Sequence, residues 1–353
     1  MYPLVRVNKK HLLENVRTVT ELCATRNIVV TGVTKVFGGD PEIAAVYVDG
    51  SITRLGDSRV GNLKLLKGLD AEKWLIRPPM MSEVEDLVTY ADASLNSELA
   101  TIQAINDAAI AAGRIHKVIL MVDLGDIREG FINHEELFDV AVEAEKMEGV
   151  HLYGIGVNLT CFSFIQSDEE KMSALAELAK NVSGKIGREL EVVSGGNSAT
   201  LDLMLKGGIR EGVSNLRLGE SLLFGKERAN YTFLPGTHKD VFTLECEIVE
   251  LKEKPSVPWG TVGVDSYGNS PTFKDRGVRM KAICALGKQD FDVETSTPVD
   301  EDIIILGASS DHLMLDVTDS KTAYKVGDTI ELQLGYFSTM RAFTSRYVRK
   351  VYI

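Results

Sequence analysis

Several things are scarce or missing in this chain, and each absence narrows its chemistry. No apolar run approaches the ~20 residues that span a bilayer, and Met1-Tyr2-Pro3-Leu4-Val5-Arg6 offers no signal-peptide core. Membrane insertion is therefore not expected. Cysteine is sparse: Cys23, Cys161, Cys246 and Cys284 are scattered and form no C-x-x-C. They read as reduced thiols of a cytoplasmic protein, most of them filling core. Positive charge is short, with 39 Lys and Arg against 51 Asp and Glu, a formal net charge of -12. That argues against nucleic acid and anionic membrane surfaces as partners. There is no G-x-G-x-x-G for a dinucleotide, no G-x-x-x-x-G-K-[ST] phosphate loop and no H-E-x-x-H. No metal site is expected.

What is present is a repeating pattern. At 353 residues, 44% hydrophobic and 25% charged, the chain suits a large domain plus a smaller one. Strand-like runs at 28–35, 51–57, 73–77, 91–96, 117–125, 151–158, 191–197 and 213–219 alternate with helical patterns. Asp40-Pro41 reads as an N-cap and first helical turn. Ser82 and Glu85 stand at capping-box spacing before a helix over 82–90, and Gly113 ends one over 97–112. Eight such units predict parallel strands closed into a (β/α)8 TIM-type barrel, with the active site at the C-terminal strand ends. The residues there are Lys35, Asp57, Arg77, Asn96, Asp123, Asn158, Asn197 with Ser198, and Arg217, all polar or charged.

Lys35 ends the first of these strands. Its plain reading is a lysine that snorkels out or meets a carboxylate. The seventh strand, however, runs into Ser194-Gly195-Gly196-Asn197-Ser198, where glycine backbone and a hydroxyl at a helix start suit a phosphate. The eighth runs into Gly219-Glu220-Ser221, and barrels commonly hold phosphate after these two strands. A phosphate seat and a lysine in one barrel mouth suggest pyridoxal 5'-phosphate (PLP) with Lys35 as its Schiff-base partner. From about residue 237 helical periodicity fades and short β runs take over. The predicted division is a barrel over 8–236 and an all-β domain over 237–353 joined by residues 1–7. Gly287-Lys288-Gln289-Asp290 and Gly307-Ala308-Ser309-Ser310-Asp311-His312 are the stretches there with chemistry, or else turns with surface charge.

A barrel with an early strand-end lysine followed by a β domain resembles the alanine-racemase-like, fold-type III PLP enzymes. Within them it resembles the ornithine racemase branch. The residues that carry this are Gly32-Val33-Thr34-Lys35-Val36-Phe37, Ser94-Leu95-Asn96-Ser97-Glu98, Gly307 to His312, and Thr344-Ser345 with Tyr347, Val348 and Lys350. The resemblance implies that Lys35 bonds the cofactor and acts as one catalytic base. It implies that Arg128 steadies the cofactor phenolate and the substrate carboxylate. Ser198, Gly219, Glu220 and Tyr336 would hold the phosphate, and Arg217 would face the pyridine nitrogen. Asn158 stands where the family usually has a histidine against the ring. The family's second base, a tyrosine in Gly-Tyr-Ala-Asp given by the other subunit, is replaced by Gly287-Lys288-Gln289-Asp290. Candidates for the opposite face of the substrate are Lys288, His312 and Asp311, and Ser310 replaces a methionine that gates the substrate. The expected activity is racemisation of an amino acid such as ornithine by a homodimer with shared sites. A fold-type III decarboxylase and a non-catalytic PLP carrier are the rival readings.

Overall fold

The computed structural model describes residues 1–209, 211–264 and 268–353. β-Branched apolar runs condense into short strands, and the crossovers between them are long enough to carry helices, so neighbouring strands run parallel. After β1 (Leu4–Val7) and α1 (Lys9–Ala24) come β2 (Val29–Val33), α2 (Pro41–Asp49), β3 (Arg54–Asp57), α3 (Val60–Leu65), β4 (Glu72–Leu75), α4 (Val84–Tyr90), β5 (Ala93–Asn96) and α5 (Leu99–Ala111). Then follow β6 (His116–Val122), α6 (His134–Glu145), β7 (Val150–Val157), α7 (Glu169–Ile186), β8 (Val192–Ser194), α8 (Thr200–Leu205), β9 (Asn215–Leu218) and α9 (Glu220–Phe224). Strands β2 to β9 pair in order, and β9 returns to β2 to close the barrel.

The sequence-derived pattern is met strand for strand; β3 and β5 end where expected, at Asp57 and Asn96, and the other ladders stop earlier. Asp40 caps α2 as expected, accepting from the N–H groups of Glu42 and Ile43. The expected Ser82 capping box does not form. A 3-10 turn over Met81–Glu83 precedes α4, whose N-cap is Glu83 without a side-chain bond.

The barrel interior holds Trp74, Leu95, Ile119, Met121 and Tyr153. A second apolar layer, including Leu87, Ile105, Leu137 and Leu175, packs the helices against the outside of the strands. Burial of this order, at ~25 cal/mol per Å² of apolar surface, drives the closure.

The chain divides into two units, Lys9–Val241 and Met1–Asn8 with Phe242–Ile353. The second contains β10 (Phe242–Pro255), β11 (Val278–Cys284), β12 (Ser296–Pro298), β13 (Ile304–Ala308), β14 (Leu313–Asp316), β15 (Thr329–Leu334), α10 (Tyr336–Thr344) and β16 (Arg349–Tyr352). Its sheet runs β12-β15-β10-β11-β14-β13, with β1 antiparallel to β10 and parallel to β16. Helix α10 departs from the all-β expectation. Its first turn is fixed by Ser338, which donates its hydroxyl to the Asp292 carbonyl at 2.6 Å.

Candidate active site

Lys35 stands one residue beyond β2, at the start of a 3-10 turn over Lys35–Phe37. Thr34 donates its N–H to the Gly56 carbonyl at 2.8 Å, which fixes the turn against β3. Among the described residues no hydrogen bond or ion pair engages the Lys35 ammonium. Its charged neighbour is Asp57 at the end of β3. That carboxylate is fully buried and accepts from Thr34 Oγ1 at 2.6 Å, the Arg59 N–H at 2.9 Å and Asn62 Nδ2 at 3.0 Å. Burial pushes its pKa up, and these donors and the nearby Lys35 pull it partly back.

On the other side of β2 lies β9, with Gly32 opposite Leu218 and Thr31 opposite Arg217. Gly219 follows at once, and a Cβ there would lie 3.2 Å from Val33 Cβ, so the loop is held tight to the strand that carries Lys35. Ser198 Oγ accepts from the N–H groups of Gly219 at 3.4 Å and Ser221 at 3.3 Å. It also lies 3.2 Å from Ser221 Oγ. Gly196 has φ +114°, and a Cβ there would stand 2.6 Å from Thr200 Oγ1, so this turn requires glycine. Hydroxyls and amide N–H groups thus converge where the sequence places the phosphate. The Glu220 side chain turns to Arg228 at 3.3 Å and Lys226 at 3.8 Å, so any part it plays in that seat falls to its backbone.

Arg217 is 4% exposed. Its guanidinium donates to Ser194 Oγ at 2.6 Å and to the Val157 carbonyl at 2.8 Å, both neutral acceptors. Burial carries its pKa down to about 10. Asn158 donates to Asp126 at 3.4 Å and accepts from Asn197 at 3.3 Å. Arg128 sits in a loop wound around Asp123, which accepts from the N–H groups of Gly125, Ile127 and Arg128. Its guanidinium is gripped at two nitrogens by Glu129, a pairing not expected from the sequence. Arg77 turns away to the Ser58 carbonyl and Glu83.

Two residues of this mouth escaped sequence reasoning. Asp126 is 1% exposed and accepts from three successive N–H groups, those of Cys161, Phe162 and Ser163. It ties the Arg128 loop to the Asn158 loop. Cys161 is exposed, unlike the other three cysteines, and accepts from Asn197 Nδ2 at 3.4 Å.

Lys288, Ser310, Asp311, His312 and Tyr336 belong to the other unit. The two chemistry-bearing stretches meet there. A Cβ on Gly287 would stand 1.9 Å from the Ser310 carbonyl, so only glycine permits the approach. Asp311 accepts from Gln289 Nε2 and Ser310 Oγ, each at 2.7 Å, and His312 Nδ1 lies 3.5 Å from Ser309 Oγ. Lys288 donates its backbone N–H to the Ser309 carbonyl at 2.9 Å. Tyr336 opens α10, its ring edge-on to Phe337.

The fold defines a (β/α)8 barrel with a lysine just past its first strand and a turn of hydroxyls and amide N–H groups after its last two. The chain belongs to the alanine racemase N-terminal domain family, which matches residues 7–226. It is 44% identical over 350 residues to an ornithine racemase of Acetoanaerobium sticklandii, covering 99% of each chain. It is 38% identical over 355 residues to a lysine racemase of Thermotoga maritima, covering 100% of this chain and 99% of that one. Among solved structures it resembles alanine racemase of Clostridium difficile 630, with TM-score 0.76 at 19% identity over 100% of this chain and 96% of that one. It also resembles alanine racemase of Bartonella henselae with covalently bound pyridoxal phosphate, with TM-score 0.74 at 16% identity over the full length of both. These two likenesses concern the fold.

Proposed function

We propose that this PLP-dependent amino-acid racemase interconverts the enantiomers of ornithine. The observation that carries the reading is the Lys35 amine, without a hydrogen bond or ion pair among the described residues, beside buried Asp57. It is supported by the neighbouring Ser198–Gly219–Ser221 cradle and by the match to a curated ornithine racemase along the whole chain.

The residues fit the cofactor. Lys35 offers an amine without a competing partner, Ser198, Gly219 and the Glu220 backbone offer donors to a phosphate, and buried Arg217 offers a cation to a ring nitrogen. Tyr336 would add a hydroxyl to the phosphate and Asn158 would border the ring. When bound, the cofactor supplies the electron sink that acidifies the amino-acid Cα–H. Lys35 Nζ moves the proton on one face of Cα. A guanidinium stays charged, so Arg217 would keep a ring nitrogen of the bound group unprotonated and limit reactions other than proton exchange. Arg128, oriented by Asp123 and Glu129, receives the substrate carboxylate. A second group must exchange the proton on the opposite face. Lys288, His312 and Asp311 are its candidates, with Ser310 at the substrate gate, and they act across a homodimer with shared sites. The barrel unit, Lys9–Val241 where the sequence suggested 8–236, carries the cofactor. Among the described residues no helix is long and apolar enough to cross a membrane, and four free cysteines favour the cytoplasm.

Polarimetry on the yellow holoenzyme with L-ornithine, alongside a CO2 assay, tests this. Decay of rotation to zero without gas is expected, faster for ornithine than for lysine or alanine. Gas release, or neither signal, would overturn it.

A further inference from the structure

Two histidines and two carboxylates with no part in racemisation meet on the barrel unit. His11 and Glu14 lie three residues apart on α1, hence on one face. His238 and Asp240 lie on the segment that ends the unit at Val241. The two imidazoles stack with centroids 4.0 Å apart and planes 10° apart. His11 Nδ1 is 2.9 Å from Asp240 Oδ1, and His238 Nε2 is 2.6 Å from Glu14 Oε2. The backbone is fixed beforehand. Fully buried Asn15 donates Nδ2 to the His238 carbonyl at 2.9 Å and accepts the His238 N–H at 2.6 Å.

The donors of this cluster suit a divalent cation. Two neutral imidazoles with two carboxylates carry a charge that one divalent ion cancels. Nitrogen and oxygen donors in that mix suit zinc-class ions better than calcium or magnesium. One ligand atom from each of His11, His238 and Asp240 lies within 4.8 Å of the others. A tetrahedral zinc with bonds of ~2.0–2.1 Å needs its ligands a little closer, so the rings must rotate out of their stack. They have room, since the His11 and His238 side chains are 26% and 33% exposed.

We propose that His11, His238 and Asp240 bind a divalent transition-metal ion of the zinc class. The ion ties α1 to the closing segment of the barrel unit, beside both points where the chain crosses to the other unit, Asn8/Lys9 and Val241/Phe242.

The test titrates zinc chloride into chelator-stripped, untagged holoenzyme by calorimetry and counts metal after gel filtration. About one zinc per chain and a raised Tm are expected. His11→Ala/His238→Ala should weaken binding ~10–100-fold and lose the Tm rise, while racemase activity reports that the variant is folded. Copper(II) bound to the wild type gives a check that needs no variant, because its electron spin resonance should carry imidazole nitrogen coupling. Absence of binding below millimolar zinc, zinc retained in full by a folded double variant, or a copper spectrum without imidazole nitrogen each overturns the proposal.

Discussion

At the N-terminal ends of the barrel strands, Arg54, Glu72, Trp74, Lys117 and Tyr153 satisfy one another. Glu72 pairs with Lys117, lies 3.4 Å from Arg54 and accepts from Trp74 Nε1 at 3.0 Å. Arg54 donates to the Tyr153 hydroxyl at 2.9 Å and rides 5.2 Å from the Trp74 ring centre, while Lys117 sits 4.6 Å from that of Tyr153. At the C-terminal ends some groups lack a counterpart among the described residues. Lys35 has no hydrogen bond or ion pair there, Arg217 bonds two neutral acceptors, and the buried Asn96 Oδ1 has no hydrogen bond, while Asp57 keeps a raised pKa despite three donors. One strand set thus carries a closed floor and a mouth that is only partly satisfied. Unsatisfied polar groups are costly in a folded protein unless a ligand completes them. The floor should therefore govern stability and the mouth activity.

Lys35→Ala strikes the comparison hardest. Racemisation should fall at least ~10³-fold, about 4 kcal/mol on the barrier. The Tm should stay close to wild type, because no partner loses a bond. Polarimetry and thermal melts followed by circular dichroism read the two sides, and a large fall in Tm would show that Lys35 holds the mouth together.

Glu72→Gln is the mirror experiment. It leaves Arg54 and Lys117 facing each other without an anion and should cost ~2 kcal/mol, less than a fully buried pair because Glu72 is partly exposed. Burial alone would raise the Glu72 pKa, but bonds from Lys117 and Trp74 and the nearby cations carry it below 4.5. A lowered carboxylate stabilises above its unfolded pKa and loses that contribution as pH falls through its folded pKa. Denaturant melts should therefore show the wild-type advantage at pH 7 shrinking in acid below 4.5. Activity per folded molecule should hold.

How legible each end was in the sequence follows from its chemistry. The mouth gave a signal because a lysine after a β-branched run, and glycines with serine after the seventh strand, are unusual where they stand. The floor could not. Arg54, Glu72 and Lys117 look like solvated charges at strand starts, and only the alternation of Glu72 with Trp74 hints that they face inward. Asp126 was missed because a carboxylate between Gly125 and Ile127 reads as loop polarity until the N–H groups of residues 161–163 close on it. Helix α10 was missed because Tyr336, Phe337 and Thr339 favour strands. Its bonds come from residues 292 and 295, more than forty positions away.

Asp57→Asn separates charge from shape at the mouth. The amide can keep the bonds from Arg59 and Asn62, and Thr34 can turn its hydroxyl to the Gly56 carbonyl, which already lies 3.3 Å away. A raised carboxylate contributes stability in acid and loses it as pH rises through its folded pKa. Above the ordinary aspartate value of 3.8 the variant should then equal or exceed wild type in Tm. Activity should drop ~10-fold and its pH profile should shift, because Lys35 loses its anionic neighbour. Unchanged activity would take Asp57 out of the site.

Tyr153→Phe is the finest cut. It keeps the ring beneath Arg54 and Lys117 and deletes one hydroxyl, which accepts from Arg54. A hydrogen bond to a charged group contributes ~1.5–3 kcal/mol, but Arg54 keeps Glu72 and the Trp74 face, so a loss of ~1 kcal/mol is expected in denaturant melts. The turnover number should not move. Were it to fall while stability held, the floor and mouth would be coupled along the strand that carries both Tyr153 and, just past its end, Asn158, and the division of labour between the two ends of the barrel would fail at β7.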